Sequence, residues 1–421
     1  MLKYILLTLS LTTSLAAQPA ITATHLKTID ISAYTAEIVQ YHAPSQTLVS
    51  TNSHWKTLDI FTLTDPLNPT LIAEDHDDEH PGDQGLPTTY EPTSVAIHPS
   101  RPIVIVTVLS QDYGLPGRVL AFDLTPQNRG TILLNQTVGQ HPDSIAITPD
   151  GRYAIIANEA ESLTTTDASI HLIDITNLTT TRRAYDPPLP AFDLPGLAKH
   201  LRKPLGIIEP EFVAVDPLSR FAAITIQEQS SLVLVDLQSK PAIALATPLS
   251  LNAGPDGLDI LHNIPNPHNP SQLGALIAAA EEGTFDKLGN LGGQSFELIW
   301  VDPNNLTADP IFLAHHDIRP DVSKKKSNKR REPEAIKLAR LGSYIIGVLA
   351  VERGDCILVY NFTDPTSPQF IKKVDVGKRP EGLTLIKHTD PNTNKQHIIA
   401  VTGDEGKYGP GTISFVKISL Q

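Results

Sequence analysis

Carboxylates recur through this chain at places that prolines mark. Asp143 follows Pro142, Glu211 follows Pro210, Asp256 follows Pro255, Glu334 follows Pro333 and Glu381 follows Pro380. Glu37 stands in a looser copy, Thr35-Ala36-Glu37-Ile38-Val39, and a seventh, Glu91-Pro92-Thr93-Ser94-Val95, has Thr93 where the others have an acid. A second acceptor-rich group closes the apolar run after each phrase: Asn52, Gln111-Asp112, Asn158-Glu159, Gln227-Glu228, Glu281-Glu282, Glu352 and Asp404-Glu405. Hard oxygen donors in such numbers suit Ca²⁺ or Mg²⁺, whereas Zn²⁺ would ask for His and Cys that the phrases lack. Ionised and unpaired, gathered acids raise one another's pKa unless a cation or hydrogen-bond donors intervene. The candidate metal ligands are therefore Glu37, Asp143, Glu211, Asp256, Glu334 and Glu381, with Glu159, Glu228, Glu282 and Glu405 from the second group. A metal-free arrangement is the alternative. Each acid would then cap a neighbour's N–H groups or pair with an Arg of the next repeat, recurring because the repeat recurs.

The elements that must position these acids follow from the period. The copies start near residues 37, 93, 143, 211, 256, 334 and 381, and repeats of roughly 40–50 residues mark propellers, solenoids or arrays. Within a copy, runs rich in β-branched residues alternate with Pro-, Ser- and Asn-bearing turns, four runs to most copies, which is the content of one propeller blade. The third runs share a form, as in Val119-Leu120-Ala121-Phe122-Asp123, Leu172-Ile173-Asp174 and Val233-Leu234-Val235-Asp236. The Asp or Asn closing most of them fits an Asx-turn, a structural role. The last copy has only three runs, and a stray run at about 25–31 precedes the first copy. Adding that run as the outer strand of the last blade closes the ring and removes its free edges. The sequence thus predicts an all-β, seven-bladed β-propeller over 21–421. In a blade the innermost strand starts where the second one ends, so both acid groups belong to one mouth of the central channel.

Composition narrows the partners. With 33 Lys and Arg against 46 Asp and Glu, the 421-residue chain has a formal net charge of −13, which disfavours nucleic-acid binding. The hydrophobic fraction of 40% is that of a globular chain. Met1-Leu2-Lys3-Tyr4, an apolar run from Ile5 to Leu15 and small residues after it read as a signal peptide over 1–17, giving a secreted or periplasmic protein. No later stretch is long and apolar enough for a membrane span. Cys356 is the sole cysteine and reads as a buried strand residue. His76-Asp77-Asp78-Glu79-His80 is an acidic loop, either solvated or metal-binding, and Lys324-Lys325-Lys326 with Lys329-Arg330-Arg331 is a basic loop open to an anionic partner.

Three segments carry a family resemblance: AEIVQYHAPSQTLVSTN from Ala36, PDSIAITPDGRYAIIANEAE from Pro142 and EPEFVAVDPLSRFAAITIQE from Glu209. They resemble the choice-of-anchor I, or mesenchyme-specific cell-surface glycoprotein-like, proteins. The resemblance implies a secreted or surface β-propeller and puts the family's acidic phrase on Asp143 and Glu211. Thr93 departs from that phrase. The resemblance names no reaction.

Two functions fit. One is a monomeric binding or adhesion propeller that takes a protein, a glycan or a small anionic ligand at a Ca²⁺-associated channel face. The other is a metal-dependent hydrolase, phytase-like or lactonase-like, using the ion to polarise a phosphoryl or carbonyl oxygen at the same mouth. No GxSxG, HExxH or P-loop pattern supports a serine hydrolase, zincin or NTPase, and no organic cofactor is expected.

Overall fold

The computed structural model describes residues 20–421 apart from 32–34, 74–82, 86–89, 111–114, 160–167, 196, 202–207, 239, 251–252, 285–291, 323–330 and 407–408. The leader, the His76–His80 loop and the basic run up to Arg330 therefore lie outside the described residues.

Seven antiparallel sheets account for the fold. Their first strands are Val39–His42, Tyr90–Ile97, Pro142–Ile147, Pro210–Val215, Pro255–Asn266, Pro333–Leu341 and Pro380–Thr389. Each contacts the first strand of the next sheet, and the seventh contacts the first, so they form the inner wall of a closed ring. Seven apolar clusters sit between the blades, one at each junction, including the one that joins blade 7 to blade 1 through Leu48, Phe61, Val401 and Phe415. The chain is the seven-bladed β-propeller that its repeats predict.

The second strands are buried on both faces, as in Thr47–Asn52, Tyr153–Asn158, Phe221–Ile226 and Tyr344–Val351, because blades stack on either side of them. That is why their sequences are unbroken apolar or small-residue runs rather than alternating ones. Outer strands such as Gln369–Asp375 are mostly exposed or half-buried. The Asx-turns are present in blades 2–6: the Oδ1 atoms of Asp123, Asp174, Asp236, Asp302 and Asn361 each accept the N–H two residues on, at 2.8–3.0 Å.

The ring closes as expected, with a longer strap. Ile21–Asp30 pairs antiparallel with Thr412–Leu420, from Ile21 opposite Leu420 to Asp30 opposite Thr412, with a bulge near Leu26. Blade 1 is also more elaborate than its sequence suggests, since Asp83–Gly85 pairs with Thr57–Asp59 beside the short outer strand Ile72–Ala73.

Two glycines set how closely the inner strands approach. A Cβ at Gly382, next to Glu381, would lie 2.3 Å from the Glu37 carbonyl oxygen; one at Gly257, next to Asp256, would lie 2.3 Å from that of Glu334. Backbone cannot yield there without opening the ring. Gly382→Ala is expected to cost about 2–3 kcal/mol, read as a lower denaturant midpoint at unchanged m-value. A midpoint equal to wild type would show that the seam is looser than this packing.

Candidate functional site at the channel mouth

The acid after each proline opens an innermost strand, so the repeat itself delivers these side chains to the channel. Glu37, Thr93, Asp143, Glu211, Asp256, Glu334 and Glu381 all line one cavity of about 190 Å³, with Lys337 as a cationic lining residue. All six predicted inner acids are thus brought together, and Thr93 keeps the seventh place. Its hydroxyl is spent on structure, donating to the Pro142 carbonyl of the next blade at 2.6 Å. Lys337 Nζ sits 5.0 Å from the centre of the Phe212 ring.

The outer group is fixed by a repeated backbone bond. The residue before the proline accepts from the residue after the second strand: Glu159 N–H to His141 O, Gln227 to Glu209, Glu282 to Gly254, Glu352 to Glu332 and Glu405 to Arg379, at 2.8–3.0 Å. Four of these acceptor residues, His141, Gly254, Glu332 and Arg379, have positive φ, a conformation costly for all but glycine. The turn sets the side chains of His141, Glu332 and Arg379 beside the acids that follow the second strands, where ion pairs join them: His141 to Glu159, Arg379 to Glu352 and Glu405, and Arg353 to Glu332.

This register places Glu159, Glu282 and Glu405 as expected and corrects one residue. In blade 4 the equivalent position is Gln227, while Glu228 is exposed and belongs to neither acid cluster at the mouth. Gln227 Nε2 donates to Glu282 Oε2 at 3.3 Å. The same spacing separates His141 from Glu159 and Glu209 from Gln227, so strict counting would have found it; choosing the acid over the amide led one residue astray. Asp404 is also turned inward, where it accepts from Thr402, Thr412 and Ser414 at 2.6–2.8 Å and tethers strands.

Charge is compensated unevenly around the ring. Across blades 6 and 7, Arg379 binds Glu352 and, at 2.6 Å, Glu405, while Arg353 binds Glu332. This arginine network is the pairing that the metal-free alternative describes, on that side of the ring. Across blades 3 and 4, His141 pairs with Glu159, and ligand oxygens of Asp143, Glu159 and Glu211 lie within 4.8 Å of one another. Glu211 Oε2 is sealed from solvent and has no hydrogen-bond partner. A second trio, Glu282, Glu332 and Glu334, meets the same distance limit.

Burial and like-charge neighbours act together on these acids. Glu37 is pushed up to about 7, by burial first and with Glu405 and Glu91 adding, against a hydrogen bond from Ser53. Glu211 is raised well above its ordinary value by burial, then by Glu159, Asp143 and Asp256. Burial also raises Asp256, with a hydrogen bond to Glu334 next, and Glu381, with Glu37 and Glu405 next. Carboxyl pairs in hydrogen-bonding contact hold together only with a proton or a cation between them. Cys356, by contrast, is fully buried and pushed up to about 12, an inert strand residue as read from the sequence.

Half of the inner acids fall within a family match. The model of the choice-of-anchor I domain matches residues 37–249, just over half of the chain. The chain belongs to the choice-of-anchor I family. The match begins at Glu37 and takes in Thr93, Asp143, Glu159 and Glu211, so the acid trio of blades 3 and 4 lies inside the choice-of-anchor I domain. A search of curated protein sequences finds no match. Among solved structures the chain is similar to Kuenenia stuttgartiensis hydrazine synthase (12% identity, TM-score 0.57, covering 90% of this chain and 94% of that one). It is also similar to the Pseudomonas aeruginosa periplasmic gluconolactonase PpgL (12%, 0.55, 89% and 98%) and to the Myceliophteria thermophila Cps50 (Swd1) β-propeller domain (10%, 0.56, 92% and 99%). At such identities the likeness is one of fold. No helix among the described residues is long and apolar enough to cross a membrane.

Proposed function

We propose that this choice-of-anchor I propeller is an exported binding module that holds Ca²⁺ at its channel mouth on Asp143, Glu159 and Glu211. The ion, facing the cavity, then receives an acidic or hydroxyl-rich group of a protein, glycan or small anionic ligand. The observation that carries this reading is Glu211 Oε2, buried without a donor among two further carboxylates. An unpaired buried acceptor of this kind costs about 1–3 kcal/mol, and a cation removes that cost. Oxygen-only ligands and room for water favour Ca²⁺, with Mg²⁺ the weaker fit because it demands near-ideal octahedral geometry. Arg353 and Arg379 pair with Glu332, Glu352 and Glu405 of blades 6 and 7, whereas in the trio of blades 3 and 4 the partner of Glu159 is a histidine, His141.

Calorimetric titration of chelator-treated protein with Ca²⁺ is expected to give stoichiometric binding, weakened at least tenfold by Glu211→Gln. No heat and no ion by elemental analysis would sink the reading.

The hydrolase reading keeps one specific support. Asp256 and Glu334 share a hydrogen bond beside the same cavity, with Asp256 raised by burial, and such a carboxyl–carboxylate pair is suited to general acid–base work on a water held by an ion. The fold neighbour PpgL is named as a gluconolactonase. Turnover of lactones or phosphoesters that chelator abolishes would establish hydrolysis; Ca²⁺ binding without turnover would leave the binding module.

A further inference from the structure

Blade 5 carries a second set of ligating groups, away from the channel. Its second strand, Asn269–Glu281, ends on Glu281; its third, Ser295–Val301, carries Glu297; its fourth, Ile311–Asp317, carries His315. The register sets Glu297 opposite His315 and Glu281 opposite Ser295. Ser295 and Glu297 are two apart on one strand, so all these side chains stand on one face of the sheet. That face is turned to blade 4, as the packing of Ala279 and Ile299 against Leu249 shows. Glu282, one residue on from Glu281, goes instead to the channel cluster.

His315 Nδ1 lies 3.5 Å from Glu281 Oε2 and 3.4 Å from Glu297 Oε1, and one ligand atom from each residue lies within 4.8 Å of the other two. Glu281 is 0% exposed and Glu297 3% exposed, whereas the His315 side chain is half-exposed. Each carboxylate has one oxygen oriented by a serine: Ser295 donates to Glu281 Oε2 and Ser250 to Glu297 Oε1. The opposite oxygens, Glu281 Oε1 and Glu297 Oε2, are buried with no hydrogen-bond partner. A cavity of about 480 Å³ opens beside them, lined by Ser250, Glu297, Phe312 and His315 among others.

Two carboxylates out of water need more compensation than one imidazolium supplies, either a proton on one of them or a cation. An apolar pair would have been cheaper for the sheet, so the cluster is costly as mere packing. The serine bonds resemble the outer contacts that orient metal-binding side chains, and the orphaned oxygens are the atoms left to bind. An imidazole with two carboxylates is a donor set for a first-row divalent ion rather than for Ca²⁺.

We infer that Glu281, Glu297 and His315 form a site for a first-row divalent metal ion on the blade 4–blade 5 face, with the ion's remaining positions open to the adjoining cavity. The site is separate from the channel mouth and does not depend on the function proposed for it.

Full-length, chelator-treated protein titrated with Zn²⁺ by calorimetry tests this, with Co²⁺ absorption reporting an imidazole ligand. One Zn²⁺ per chain is expected. His315→Ala and Glu297→Gln should each weaken it at least tenfold, and Glu211→Gln should leave it unchanged. His315→Ala leaves two buried carboxylates with less compensation and is expected to melt lower than wild type, so circular dichroism at the titration temperature, with the Glu297→Gln variant beside it, separates lost binding from lost fold. No Zn²⁺ bound by wild type would overturn the inference and leave His315 as an imidazolium bridging the two acids. Zn²⁺ that survives His315→Ala, or that Glu211→Gln removes, would overturn it equally.

Discussion

Removing residues 1–30 is expected to leave a chain that does not persist as a folded monomer. The strap Ile21–Asp30 supplies the whole outer edge of blade 7, paired from Leu420 to Thr412. Its own side chains bury little beyond Ala23, so its contribution is the ladder and the contacts that span blades. Lys372 of blade 6 donates to the Ala23 carbonyl at 2.9 Å, and Thr28 bonds Ser414 across the pair at 2.9 Å. At about 0.5–1.5 kcal/mol net for each hydrogen bond, a ladder of this length carries a free energy comparable to the roughly 5–15 kcal/mol that holds a typical protein folded. Its loss also bares Thr412–Leu420 as a free edge, a template for association between chains. Size-exclusion chromatography and thermal melting should show aggregation or a melting temperature lowered by about 10 °C or more, and a peptide of residues 20–31 added in trans should restore part of it. A truncated chain that elutes as a monomer and melts like the full one would mean that the ring is closed by other contacts.

The second large effect is on pH. Folded metal-free protein holds protons at the channel that the unfolded chain releases at ordinary carboxyl values: Glu37 keeps its own up to about 7, and Glu211, Asp256 and Glu381 are raised as well. Raised acids favour the folded state below the unfolded value, and that advantage is lost as pH climbs through the folded one. Stability in chelator is therefore expected to fall between about pH 5 and 8, by roughly 1.4 kcal/mol per pH unit for each group titrating. His42, His98 and His397, lowered mainly by burial, work in the opposite sense at the acidic end. Glu211's share is thus the difference in slope between wild type and Glu211→Gln, measured by denaturant unfolding, with the wild type falling more steeply. Ca²⁺ binds the ionised form and should offset the loss above pH 7, by about 2.7 kcal/mol when present at a hundred times its Kd. Equal slopes for the two proteins would contradict the buried-proton picture.

How much of this could be read beforehand differs between ring and site. The blade count followed from the Pro-Asp/Glu phrase, and its acids reached one cavity because blade symmetry carries equivalent residues to equivalent places. The strap was visible only from about His25, since Thr22 and Thr24 interrupt its apolar pattern, although Ile21–Thr24 pair as well as the rest. What the phrase could not convey is which acids are already neutralised. The bonds of Arg379 to Glu352 and Glu405 join residues from two blades, and the pairing of Arg353 with Glu332 depends on a left-handed turn at Glu332. Glu297 and His315 gave no signal at all, being isolated residues on separate strands that only the sheet register brings to Glu281. Thr93, the departure from the acid pattern, proved to be a strand tie rather than a ligand gap.

The central claim is that the acid trio of blades 3 and 4 is a cation site. A crystal structure of the protein grown with Ca²⁺ measures this directly. The expected density is one ion bound by Asp143, Glu159 and Glu211, with six to eight oxygen ligands at about 2.3–2.6 Å once water is counted. Density at the trio that refines only as water at saturating Ca²⁺ would contradict it.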